Sequence, residues 1–145
     1  MRVAIYSRGG QTLQEQDLKS LLDLLYQAGI DAVVFKSLKD QYAGLSSLPN
    51  VFGGASDLDE HIDALISLGG DGTLLDTVCL VRDKQIPVLG INYGRLGFLA
   101  SLGKENIEEA VKALQERTYV LDRRGLLHLD ASIPMFGEEP FALNE

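Results

Sequence analysis

The feature that most restricts the fold of this chain is a tight glycine turn set between an apolar strand and an apolar helix. Asp63-Ala64-Leu65-Ile66-Ser67-Leu68 is a short apolar run bounded by turn residues and reads as a buried strand. Gly69-Gly70-Asp71-Gly72-Thr73 follows, and Leu74, Leu75, Val78 and Val81 then recur at helical spacing as far as Lys84. A strand that enters a tight turn and leaves as a helix aims backbone N–H groups and the positive end of a helix dipole at one spot, which suits phosphate. Glycine also lets an anion come close to the backbone. Neither common phosphate fingerprint is present: there is no Gly-x-x-x-x-Gly-Lys run followed by Ser or Thr, and Gly70-x-Gly72 meets Leu75 where a third glycine would stand. On glycine content alone a purely steric turn is the stronger reading than a phosphate cradle. Asp71 tips the reading toward chemistry, because an acid there repels a bare phosphate and makes more sense against a proton, a hydroxyl or a metal-masked phosphate.

The rest of the chain builds an alternating pattern around that turn. Val3-Ala4-Ile5-Tyr6 reads as a first strand ending at Gly9-Gly10. Thr12 with Glu15 forms a capping box for a helix whose Leu18, Leu21, Leu22, Leu25 and Ala28 make one apolar stripe, closed by Gly29. Ala32-Val33-Val34-Phe35 is a second strand, so the first elements make a strand-helix-strand unit of the length a parallel crossover requires. From Ser37 to Asp59 the expectation is mostly loop, with a weak helical stretch and a short strand at Val51-Phe52. Pro87-Val88-Leu89-Gly90-Ile91 is a further strand, ending in a second glycine loop, Asn92-Tyr93-Gly94-Arg95-Leu96-Gly97-Phe98-Leu99. In an open parallel sheet ligands collect outside the carboxyl ends of the strands, where both glycine loops emerge. A helix with Ile107, Ala110, Val111 and Leu114 as its stripe runs from Lys104 to Glu116.

After Thr118 the texture changes. Leu127, Leu129 and Ala131 alternate with His128 and Asp130, residues 132–139 read as a turn region, and Phe141-Ala142-Leu143 begins another extended piece. This is hairpin patterning, so a boundary is expected near Tyr119: residues 1–118 form a Rossmann-like α/β domain, a parallel sheet with helices on both faces, and residues 119–145 begin a β-rich domain that is incomplete. A tail of that length is too short for an independent all-β domain, so the chain is expected to be an N-terminal portion of a longer protein.

Composition excludes some classes. With 145 residues and 46% apolar content the chain can bury a sizeable core, while a formal charge of −8 argues against a general nucleic-acid or anionic-membrane surface. The single cysteine, Cys79, rules out an intrachain disulfide, favours a reducing compartment and reads as a small buried apolar residue. No apolar run is long enough for a signal peptide or a membrane span, which makes the cytoplasm the expected location. Asp57, Asp59, Glu60 and Asp63, with His61 among them, read as a solvated face rather than a metal cluster, so no protein-held metal is expected. His128 reads as an exposed spacer rather than a catalytic base.

Three blocks, in order, resemble the NAD kinase family. Gly69-Gly70-Asp71-Gly72-Thr73 is similar to the family's signature turn, Gly90-Ile91-Asn92-Tyr93-Gly94-Arg95-Leu96-Gly97-Phe98-Leu99 to its Gly-Ile-Asn-x-Gly-x-Leu-Gly-Phe-Leu segment, and Ala142-Leu143-Asn144-Glu145 to the start of its Asn-Glu motif. 6-Phosphofructokinases and diacylglycerol kinases share versions of the first block; the second is far more discriminating. The resemblance implies a Rossmann-like domain followed by a β-rich domain with the dinucleotide between them. The implied reaction moves a phosphoryl group from Mg²⁺-bound ATP, or from polyphosphate, to the 2′-hydroxyl of the adenosine ribose of NAD. It implies that Asp71 contacts the acceptor and draws its proton, and that Gly69, Gly70, Gly72 and Thr73, with Asn92 and Gly94, shape the phosphate and nucleotide site. Asp71, Gly72, Asn144 and Glu145 would meet NAD, and the full-length protein would be a dimer or tetramer. The rival readings are a lipid or sugar kinase sharing the turn and a non-catalytic nucleotide-binding module. The isolated chain is expected to be inactive or nearly so.

Overall fold

The computed structural model describes residues 1–9, 13–45, 50–94, 97–130, 132–133 and 141–143. Gly10, Thr12, Arg95, Leu96, Ala131, Asn144 and Glu145, together with most of the expected turn region, lie outside the described residues.

Apolar runs too short for helices form the strands β1 (Arg2–Tyr6), β2 (Asp31–Phe35), β3 (Val51–Phe52), β4 (Ala64–Gly69), β5 (Val88–Asn92) and β6 (Leu102–Gly103). They join in one parallel sheet of order β3-β2-β1-β4-β5-β6. The order reverses between β1 and β4, so the crevice at the carboxyl end of a doubly wound sheet opens between these two strands. Its outer strands, β3 and β6, are two residues each, which leaves little open edge for another chain to pair with.

Side chains of the central strands β1 and β4 alternate between two covered faces, as their near-continuous apolar runs require. Val3 and Ile5 of β1 pack with Leu18, Leu21 and Leu25 of α1 (Glu15–Gln27) and with Val111 and Leu114 on one face. Ala4 and Tyr6 pack with Phe52, Leu58, Leu65 and Val81 on the other. Helices α2 (Lys36–Gln41), α3 (Asp71–Val81) and α4 (Ile107–Glu116) complete the two layers. A separate antiparallel pair, β7 (Leu126–His128) and β8 (Phe141–Leu143), follows, with β8 packed on α3. The Rossmann-like parallel sheet with helices on both faces is thus observed, and a small antiparallel pair follows it.

Several elements differ from the sequence reading. Helix α1 starts at Glu15, and the reciprocal acid at its start is Asp17, whose carboxylate accepts the Gln14 N–H at 3.1 Å. Residues 36–41, expected within a mostly loop stretch, form α2, whose Leu38 is fully buried against the sheet. β6 has only two residues and no alternation to reveal it. Helix α3 begins at Asp71 and ends at Val81, because Arg82 turns to φ 48. Its buried residues are Thr73, Thr77, Val78 and Val81, while Leu75 is 43% exposed. Cys79, expected inside, is exposed on the same flank as Leu75, where its Sγ lies 3.8 Å from the Phe141 carbonyl oxygen. The error came from assuming that an apolar helix is buried all round; α3 faces the sheet with only one stripe.

Candidate functional site

Both glycine loops leave neighbouring strands at the same height. Gly69 at the end of β4 is paired with Asn92 at the end of β5, and the Gly69 carbonyl accepts the Tyr93 N–H at 3.3 Å. Gly69 presses against Thr73: a Cβ at Gly69 would lie 2.7 Å from that of Thr73, which is itself buried. Gly70 is the N-cap residue of α3 and its carbonyl accepts the Thr73 and Leu74 N–H groups at 3.0 and 3.1 Å. Asp71 and Gly72 therefore occupy the first turn, where backbone N–H groups have no intrahelical acceptor and a negative group is favoured by the helix dipole.

The Asp71 carboxylate is engaged with the second loop. Its Oδ2 accepts the Phe98 N–H at 2.8 Å, and its Oδ1 accepts those of Leu99 at 3.1 Å and Ala100 at 2.9 Å. The Ala100 and Phe98 amides, with a smaller contribution from Leu99, hold its pKa below the ordinary carboxylate range against an opposing contribution from desolvation. Gly97 makes the approach possible, because a Cβ there would fall on the Asp71 carboxylate.

The loop is braced from the other side by Asn92. This buried side chain donates from Nδ2 to the Ala100 carbonyl at 3.2 Å and accepts the Gly94 N–H on Oδ1 at 2.8 Å. Asn92 and Gly94, expected to meet phosphate or nucleotide, thus shape the loop, and Gly94 is exposed at its bend. Asn144 and Glu145 lie outside the described residues.

The sequence reading missed a cluster at the end of β1. The Arg8 guanidinium grips the Asp76 carboxylate of α3 through two nitrogens, and the Tyr6 hydroxyl donates to Asp76 Oδ2 at 3.0 Å. The hydrogen bond from Arg8 holds Asp76 below the usual carboxylate pKa, while burial and Asp76 together push Tyr6 up to about 12. Arg8 also lies beside the glycine turn, since a Cβ on Gly72 would be 3.4 Å from Arg8 Nη1. The signal available was position alone: Arg8 follows β1, one of the two strands that flank the crevice.

The acidic run at residues 57–63 is dispersed. Asp57 accepts the Gly53 N–H at 2.7 Å, Asp59 the His61 N–H at 3.0 Å, and Asp63 the Arg2 N–H at 2.7 Å. His128 is exposed and packs on the Phe141 ring at 4.7 Å. A groove of ≈ 720 Å³ opens between α3 and the β7-β8 pair, with Leu99, Leu121, Arg124 and Leu143 among its walls.

Residues 19–119 match the family description "ATP-NAD kinase N-terminal domain". The chain belongs to the NAD kinase family. This is a family of phosphotransferases that bind nucleotides and serve NADP biosynthesis. A NAD kinase of Flavobacterium psychrophilum is 35% identical over 150 residues, covering 100% of this chain and 51% of its own length. One from Methanothermobacter thermautotrophicus is 32% identical over 146 residues, covering 100% and 48%. The crystal structure of yeast NADH kinase complexed with NADH shares the fold with a TM-score of 0.74 at 20% identity, over 98% of this chain and 46% of that one. The chain spans about half the length of the curated relatives it matches.

Proposed function

We propose that the protein to which this chain belongs is a NAD kinase. It transfers a phosphoryl group from ATP, or from polyphosphate, to the 2′-hydroxyl of the adenosine ribose of NAD. The observation that supports this most is the position of Asp71, a carboxylate on a helix-opening glycine turn, joined to a second glycine loop at the carboxyl ends of β4 and β5. Phosphoryl transfer depends mainly on positioning and charge stabilisation. A backbone cradle at residues 69–73 and one carboxylate near the accepting hydroxyl supply both, and general-base help at that hydroxyl contributes about two to four orders of magnitude.

In this reading Mg²⁺ enters with the donor, where it would screen the charge on the transferred phosphoryl group. Residues 1–118 form the α/β half of the site and residues 119–145 begin the half that completes it. Asn144 and Glu145 are assigned to the NAD ribose in this reading, from the resemblance of Ala142-Leu143-Asn144-Glu145 to the family's Asn-Glu motif. The full-length protein is a cytoplasmic dimer or tetramer in this reading.

The test is to offer the full-length protein NAD, diacylglycerol and sugar phosphates, each with Mg-ATP or polyphosphate. NADP is the expected product, and phosphorylation of the lipid or sugar instead would overturn the reading. The 145-residue chain alone is expected to make no measurable NADP.

A further inference from the structure

Three successive backbone N–H groups, those of Phe98, Leu99 and Ala100, converge on one anion, and that anion belongs to the protein itself. We infer that the Phe98–Ala100 amides form a phosphate-oxyanion site that Asp71 fills in the ligand-free chain, and that a pyrophosphate-bearing nucleotide takes Asp71's place there. Three features support exchange rather than a permanent clamp. The loop has a second anchor besides Asp71, because Asn92 holds the Ala100 carbonyl and the Gly94 N–H from the opposite side and Ala100 is buried. A displaced Asp71 stays favoured where it is, in the first turn of α3 at the positive end of the helix dipole. The site also opens to solvent, since the Phe98 side chain at its lip is 100% exposed.

Amide donors in sequence make a concave anion site of the kind that takes carboxylate and phosphate oxygens alike. Occupation by phosphate would return to Asp71 an unbonded carboxylate. A carboxylate stripped of three N–H donors binds a proton more readily. Arrival of the substrate's phosphates thus converts Asp71 from a loop tie into a stronger base beside the glycine turn. Only the identity of the anion rests on the kinase reading; the exchange itself is a property of this loop.

The test follows backbone amide signals by NMR in the labelled chain, with inorganic pyrophosphate as the probe. In the wild type the Phe98, Leu99 and Ala100 signals should move as pyrophosphate is added. Asp71→Ala should tighten pyrophosphate binding about tenfold or more with the same three signals responding, because apparent affinity is reduced by the fraction of sites already filled. Gly97→Ala is the charge-conserving counter-test: its Cβ takes the space of the bound anion, whether carboxylate or phosphate, so it should weaken pyrophosphate binding. Further arms with NAD and with ADP assign the phosphates to acceptor or donor, and a response to either supports the site. Pyrophosphate that moves only the residue 70–73 amides, that binds Asp71→Ala no more tightly than the wild type, or that binds Gly97→Ala as well as the wild type, would overturn it. That outcome would leave the NADP-forming assay of the full-length protein untouched, so the two readings fail separately.

Discussion

Arg8 and Asp76 form a two-nitrogen ion pair that ties the end of β1 to the middle of α3. They are 68 residues apart in sequence and sit on either side of the crevice between β1 and β4. Asp76 also accepts from Tyr6, so a single carboxylate fixes two β1-end side chains. Asp76→Asn should cost about 1 kcal/mol at neutral pH, a discounted figure because Arg8 is exposed. The folded-state pKa of Asp76 is lowered, so its contribution is present above the unfolded value of about 3.9 and lost as pH falls through the lower folded value. Urea unfolding of the two proteins should therefore differ by a constant amount at neutral pH and converge at pH values below about 4.

Asp71→Asn removes the charge but keeps the size of the side chain. In the full-length protein NADP formation should fall by about two to four orders of magnitude while the circular dichroism spectrum stays near wild type, and the unfolding midpoint should drop only modestly, since Asn keeps one acceptor for the three loop N–H groups. Near-normal turnover in this variant would remove Asp71 from the chemistry.

Gly90 lies in β5 under the second loop, where an added Cβ would stand 3.2 Å from the Ala100 Cα and 2.5 Å from the Leu74 Cδ1. Ala100 is buried, and its backbone is held by Asn92 and Asp71, so it cannot retreat freely. Gly90→Ala should destabilise the chain by about 1–3 kcal/mol in denaturant unfolding. An unchanged midpoint would show that the loop yields more easily than its hydrogen bonds imply.

Cys79 is exposed on α3. A water-soluble thiol reagent should modify one equivalent in the native chain without denaturant, and Cys79→Ser should change stability by less than about 0.5 kcal/mol. Modification only on unfolding would contradict the exposed position.

Most of the sheet was legible in the sequence because a parallel strand covered on both faces must be apolar throughout. The runs at Val3-Tyr6, Ala32-Phe35, Ala64-Leu68 and Val88-Ile91 could hardly be anything else. Two-residue strands and single-turn helices carry no such period, so β3 could be read only as a short piece and β6 not at all. Cys79 and Leu75 show the same limit from the other side: apolar type states what a residue tolerates, and the packing of α3 decides which way it faces.

The glycine turn, its single acid, the second glycine loop and the family they mark were all determined by the sequence alone, since each is a local matter of residue type and spacing. Only the tertiary structure decided what Asp71 touches. Its three donors lie 27, 28 and 29 residues away and are backbone groups, which any residue except proline supplies. A hydrogen bond to a main-chain N–H leaves no trace in residue identity, and it forms here because β4 and β5 end side by side and Gly97 leaves room for a carboxylate.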